Sequence, residues 1–178
     1  VNMKYPQNID SDFFKRLIVA GWYEEREVLL KELPGILKDF PEVVNKFLKE
    51  IWYITFTKEF MYYHNDDIIF RPIEYIFGET CWSFDDYSYG SYSFDYYSKL
   101  IGGRISQFGF KERRSILIDE LGRVYIVADS GDLYYVDAKF YEGLYNVIYN
   151  RGESYIALGD GIFMCERTQE KYHINDIS

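Results

Sequence analysis

Asp119, Glu120 and Arg123 fall within five residues of one another, in Ile118-Asp119-Glu120-Leu121-Gly122-Arg123-Val124-Tyr125. Two carboxylates beside a guanidinium are the raw material of acid–base chemistry. Adjacent residues of an extended strand point to opposite faces, however, so Asp119 and Glu120 cannot line one pocket if the strand continues. Gly122 supplies the positive φ of a tight turn, and a hairpin explains the cluster without chemistry. His64, Asp66 and Asp67 could open a metal site, but zinc takes three or four ligands with second-shell support, and the only other histidine is His173. A solvated turn is the better reading. Cys81 lies among acids that raise a thiol pKa, which makes it a poor nucleophile. Gly159-Asp160-Gly161 reads as a turn, because no Gly-Lys-Ser/Thr or Gly-x-Gly-x-x-Gly follows a strand. There is no Gly-x-Ser-x-Gly elbow. Trp22 is expected to pack its indole on the core, with Arg26 bracing nearby carboxylates. No catalytic residue, metal or cofactor is therefore expected.

The chemistry that remains is recognition. Residues 72–98 hold five acids (Glu74, Glu79, Asp85, Asp86 and Asp95), ten aromatics, and no Lys, Arg or His. Phe77, Trp82 and Phe84 are assigned to the core. Tyr87, Tyr89 and Tyr92 alternate with Ser and Gly, a composition typical of loops that bind protein. Glu74, Glu79, Asp85, Asp86, Tyr87, Tyr89, Tyr92 and Asp95 are the expected partner-binding residues. The whole chain carries 29 acids and 20 Lys plus Arg, a net charge of −9. Such a surface repels phosphate backbones and anionic membranes, so neither nucleic acid nor membrane is an expected partner. Aromatic residues make up 20% of the chain, with 19 tyrosines. More tyrosines than a core of this size requires implies some at a surface.

These residues need elements to hold them. Ser11 follows Asp10 as a helix cap, and Phe14, Leu17 and Ile18 fall at helical spacing, predicting a helix near 11–20 that ends at Gly21. Pro41 opens a second helix with a stripe of Val44, Phe47, Leu48 and Ile51. From Trp52 the apolar period drops to two, predicting a strand to about Tyr63, a turn at 64–67, and a short strand Ile68–Phe70 ended by Pro72. A helix over 93–100, a strand meander over 104–136, a helix over 137–149 and a strand pair over 154–165 follow. Residues 166–178 are expected to be loose. The predicted fold is α+β: a mostly antiparallel sheet of about five or six strands, with helices at the N-terminus and near the C-terminus packed against it. One domain over 1–178 is expected, with its core at about 12–152. No 18-residue apolar run predicts a membrane helix, and no basic start before an apolar stretch predicts a signal peptide. Two cysteines without a Cys-x-x-Cys motif suit free thiols in the cytosol.

Three stretches carry a family resemblance. They are Gly21-Trp22-Tyr23-Glu24-Glu25-Arg26, then Tyr97-Ser98-Lys99-Leu100-Ile101-Gly102 leading to Gly109, and then Leu117 to Tyr125 followed by Gly131 and a helix. In order and spacing they resemble the third group of the SUKH superfamily of bacterial immunity proteins, which also includes a fungal regulator of cell-wall synthesis. The likeness spans roughly residues 12–152, and the Asp119–Tyr125 stretch is its most specific part. It departs at Gln107-Phe108-Gly109, where members often carry Pro-Ile-Gly, and the acidic aromatic segment and the tail look particular to this chain. The resemblance implies an α+β fold and neutralisation, by tight binding, of a cognate toxin that is often a nuclease or another nucleic-acid-modifying enzyme. The alternative it leaves is a regulatory or scaffolding module with a peptide or small ligand. A hydrolase built on paired carboxylates is the remaining class, and nothing here pairs a carboxylate with a histidine or a metal pattern. The oligomeric state is not set by the sequence.

Overall fold

The computed structural model describes residues 11–28, 39–78 and 94–177. Two helices come first, α1 (Ser11–Val19) and α2 (Glu42–Ile51). A hairpin follows, β1 (Thr55–His64) and β2 (Asp67–Phe77), then α3 (Phe94–Ile101). A meander of β3 (Ile105–Lys111), β4 (Arg114–Asp119), β5 (Arg123–Val127) and β6 (Leu133–Lys139) leads into α4 (Phe140–Tyr149). The chain finishes with β7 (Tyr155–Gly159), β8 (Ile162–Cys165), β9 (Lys171–His173) and α5 (Ile174–Ile177). All nine strands form one antiparallel sheet in sequence order.

The fold is α+β with a large antiparallel sheet, as expected, but the sheet has nine strands and not five or six. Part of the difference lies at the C-terminal end. The segment expected to be loose carries β9 and α5: Phe163 of β8 pairs with Tyr172, and Ile174 is buried. The main chain of this polar stretch finds partners that side-chain polarity does not advertise. A separate departure, which lengthens a strand and adds none, is at Pro72: it does not end β2 but pairs with Glu59, and the strand runs on to Phe77. Asn65 and Asp66, at φ of 50° and 65°, form the two-residue turn between His64 and Asp67. Counting back from that turn, Glu59–Pro72 is a non-hydrogen-bonded pair, so the missing N–H faces away from β1. Proline thus leaves the β1–β2 ladder intact and denies the other edge, where β2–β3 pairing covers only Tyr75–Phe77.

Over β3 to β6 both faces of the sheet are covered. Ile116, Ile118 and Val124 point to a core shared with Phe13 and Leu17 of α1, Val44 and Phe47 of α2, and Leu144 and Val147 of α4. Their neighbours Leu117 and Tyr125 point to the opposite core, with Tyr97 and Ile101 of α3, Phe163 and Ile174. That is why β3 and β4 read as nearly unbroken buried runs and lack alternation. Two cores also absorb tyrosine. Tyr75, Tyr97, Tyr125, Tyr135 and Tyr141 are among the largest fully buried side chains. Four of their hydroxyls have partners: Tyr75 donates to Ile148 O, Tyr97 to Gly131 O, Tyr125 to Asp119 and Tyr141 to Glu50. A buried ring with a satisfied hydroxyl is good core material, so these tyrosines lie inside, while Tyr23, Tyr53, Tyr63 and Tyr96 are exposed, as the tyrosine count implies.

Candidate functional site

Asp119 ends β4 and is 2% exposed. Its Oδ1 accepts the N–H groups of Leu121 (2.9 Å) and Arg123 (3.0 Å). Its Oδ2 accepts Arg123 Nε (2.5 Å) and the Tyr125 hydroxyl (2.9 Å). Arg123 Nη1 donates onward to Asn175 Oδ1 of α5. Glu120 turns the other way and pairs with Arg104, which also reaches Asp39 O and lies over the Phe40 ring. The two carboxylates therefore serve different parts of the molecule. Gly122, at φ +80°, completes the turn, and a Cβ there would meet the Phe140 ring at 2.2 Å. The arrangement is a structural knot: Oδ1 of Asp119 holds the turn and Oδ2 holds Arg123 and Tyr125, so all four of its acceptor positions are taken.

The Gly-Trp stretch is also structural. The Trp22 indole is buried and donates to Tyr141 OH at 2.9 Å. Arg26 does not brace carboxylates. Its Nη1 donates to the carbonyls of Glu50 (3.0 Å) and Trp52 (2.6 Å), and so closes the C-terminal end of α2, where carbonyls lack helical partners. Beside it lies a cleft of about 370 Å³ between Glu25–Glu27 and the Glu42–Lys49 face of α2. Its lining carries charges of both signs. His64, Asp66 and Asp67 sit exposed at the β1–β2 turn. Among the described residues no group of three His, Cys, Asp or Glu could hold a metal. Cys165 is free and buried, its Sγ 3.5 Å from Glu153 Oε2; Cys81 lies outside the described residues.

Of the expected partner-binding residues, Glu74 is exposed on β2, opposite Thr57. Asp95 is exposed in the first turn of α3. Both elements touch β3. Glu79, Asp85, Asp86, Tyr87, Tyr89 and Tyr92 lie outside the described residues, as do Trp82 and Phe84. Phe77 is in the core, as expected.

The surface that sequence reasoning missed is the far half of the β1–β2 hairpin. Met61, Tyr63, Ile68 and Phe70 are 47%, 71%, 56% and 63% exposed, and the register places Met61 opposite Phe70 and Tyr63 opposite Ile68. Directly opposed residues share a face, so these four form one apolar patch. The available signal was the run Phe60-Met61-Tyr62-Tyr63, which is apolar at successive positions where a half-buried strand would alternate.

Among the described residues, Lys111 of β3 is the base whose pKa moves furthest. Its Nζ donates to Val147 O (3.3 Å) and Asn150 Oδ1 (3.1 Å) at the end of α4. Burial, with Arg114 adding repulsion, pulls its pKa down to about 8. The unfolded chain keeps that proton up to about 10.5. Between those values the unfolded state binds more protons, so stability rises with pH. Burial pushes the Tyr75, Tyr125 and Tyr135 phenols upward instead. Their contribution is present below pH ~10 and lost above it, as the unfolded phenols ionise. The expected denaturation midpoint therefore climbs from pH ~8 toward ~10 and then falls. Lys111→Met should flatten the climb and leave the fall; a wild-type midpoint that drops steadily from pH ~8 would reject this assignment.

Compared with protein-family models, with curated proteins and with solved structures, the chain matches none.

Proposed function

We propose that this protein is a non-catalytic cytosolic immunity protein, which neutralises a bacterial toxin by occluding its basic, nucleic-acid-binding active site. Charge is the observation that carries the reading. Acids outnumber bases by 29 to 20, and residues 72–98 contain five acids and no base. A nuclease must present cations to phosphate, and clustered carboxylates imitate that phosphate array. The resemblance to SUKH immunity proteins supports the same class. So does the employment of Asp119, Arg123, Trp22 and Arg26 in holding the chain together. Glu74 and Asp95 are exposed at the two borders of the segment that would supply the remaining contacts.

The test is co-expression with a lethal toxin domain, followed by binding kinetics on the purified pair. Asp85→Lys with Asp86→Lys should slow association roughly 10-fold at low salt and weaken its salt dependence. Tyr89→Ala should chiefly speed dissociation, by about 30-fold if it is a hot spot worth ~2 kcal/mol. Full protection by both variants would move the contact surface elsewhere, and no protection by wild type would remove the function.

A further inference from the structure

Helix α2 has a face that the core does not use. Val44, Phe47, Leu48 and Ile51 are buried, and Glu42, Asn45, Lys46 and Lys49 share the opposite side at helical spacing. These four line one wall of the cleft of about 370 Å³, and Glu25, Arg26 and Glu27 line the other. Acids on the loop thus face lysines on the helix, yet no ion pair among the described residues joins the two walls. The loop's own cation is committed elsewhere, because Arg26 Nη1 donates to the Glu50 and Trp52 carbonyls. Asn45 adds a second observation. Its Nδ2 donates to Phe40 O at 3.1 Å, but its Oδ1 is buried without a hydrogen-bond partner. Both walls are held in place before anything binds: α2 by its core stripe, and the loop by buried Trp22 and by the Arg26 clamp.

We propose that this cleft binds a small amphoteric ligand of about dipeptide size, whose cationic group meets Glu25 and Glu27 and whose anionic group meets Lys46 and Lys49. The volume sits at the low end of the roughly 300–1,000 Å³ of small-molecule pockets, which suits a small ligand. The lining decides its chemistry. A polyanion would set its charges against Glu25, Glu27 and Glu42, and a polycation against Lys46 and Lys49. An apolar molecule would strip water from charged groups and offer them no partner. A ligand with both signs satisfies both walls at once, and it supplies the pairing that the gap denies to the side chains themselves. A buried acceptor without a donor costs stability, and a ligand N–H that reaches Asn45 Oδ1 removes that cost.

Calorimetric titration of the purified full chain with the dipeptide arginyl-glutamate tests this, with arginyl-arginine and glutamyl-glutamate as probes of the same size. Arginyl-glutamate is expected to saturate with a dissociation constant below ~1 mM, and each control to bind at least ~10-fold more weakly. Lys46→Glu with Lys49→Glu should weaken arginyl-glutamate by ~10-fold or more and turn the preference toward arginyl-arginine. Glu25→Lys with Glu27→Lys should turn it toward glutamyl-glutamate. Circular dichroism confirms that each variant is folded. In wild type, amide resonances of residues 25–27 and 42–49 should shift on addition of arginyl-glutamate, a readout that needs no variant. No saturation by arginyl-glutamate overturns the proposal. So do equal affinities for all three dipeptides, resonance shifts confined to other residues, or a preference that the folded charge-reversed variants leave unchanged. The toxin-protection test above rests on residues 72–98, so the two readings fail separately.

Discussion

Asp119→Ala is expected to cost the fold about 3–5 kcal/mol, the loss typical of breaking a buried ion pair from one side. The substitution strips the Arg123 guanidinium of its carboxylate in a site where Arg123 is 6% exposed and water cannot replace the lost partner. It also removes the acceptor for two turn N–H groups and for the buried Tyr125 hydroxyl. A buried donor left unmatched costs about 1–3 kcal/mol by itself. Asp119→Asn keeps an oxygen for the turn N–H groups but sets an amide NH2 where Oδ2 accepted Arg123 Nε and Tyr125, so it should recover only the turn's share of the loss and fall between wild type and alanine. Equilibrium unfolding in denaturant, with an unchanged slope, reads the difference. The effect should spread beyond the hairpin, because Arg123 also holds Asn175 of α5. Hydrogen exchange in residues 171–177 should speed up in step. If alanine unfolds within ~0.5 kcal/mol of wild type, Asp119 is a surface residue in all but appearance.

That knot also separates what the sequence discloses from what it hides. The Asp119–Gly122 turn was legible because its glycine and its spacing are local requirements. Helices α2 and α4 were legible for the same reason: the Val44–Ile51 stripe and the Leu144–Ile148 face recur at the helical period and are buried where they recur; α1 was legible as a helix, but of its expected Phe14, Leu17 and Ile18 only Leu17 is fully buried, Ile18 is exposed, and Phe13 joins the core instead. Three things were hidden, each because a long-range partner decides it. Pro72 looks like a stop, yet its effect depends on which edge its nitrogen faces, and that follows from a turn five residues away. Lys171–His173 looks like a solvated tail, but Ile162–Met164 offers it main-chain partners that no side chain encodes. Which tyrosines are buried was hidden as well: Tyr75 and Tyr141 find a carbonyl and a carboxylate up to 91 residues away, while Tyr23, Tyr53, Tyr63 and Tyr96 stay exposed, as the tyrosine count implies. The expected site was only partly placed, since of its eight residues Glu74 and Asp95 alone fall in the described part of the chain.

Tyr141 tests the same point at its largest. The residue is fully buried on α4, and its ring packs edge-on against Trp22 (5.7 Å) and Phe47 (5.1 Å). Its hydroxyl accepts from the Trp22 indole and donates to the Glu50 carboxyl, so one side chain joins the loop after α1, helix α2 and helix α4. Tyr141→Ala opens a cavity between three elements and should cost about 4 kcal/mol. Tyr141→Phe keeps the ring and loses only the hydroxyl, at about 2 kcal/mol, because a buried carboxyl loses a donor and a buried indole its acceptor. The geometry predicts coupling as well. Trp22→Phe removes the same indole bond from its other end, so the double variant Trp22→Phe with Tyr141→Phe should lose less than the two single losses combined, by ~0.5 kcal/mol or more. Strict additivity would mean that the indole and the phenol do not share a hydrogen bond, and that Trp22 is held against α4 by ring packing.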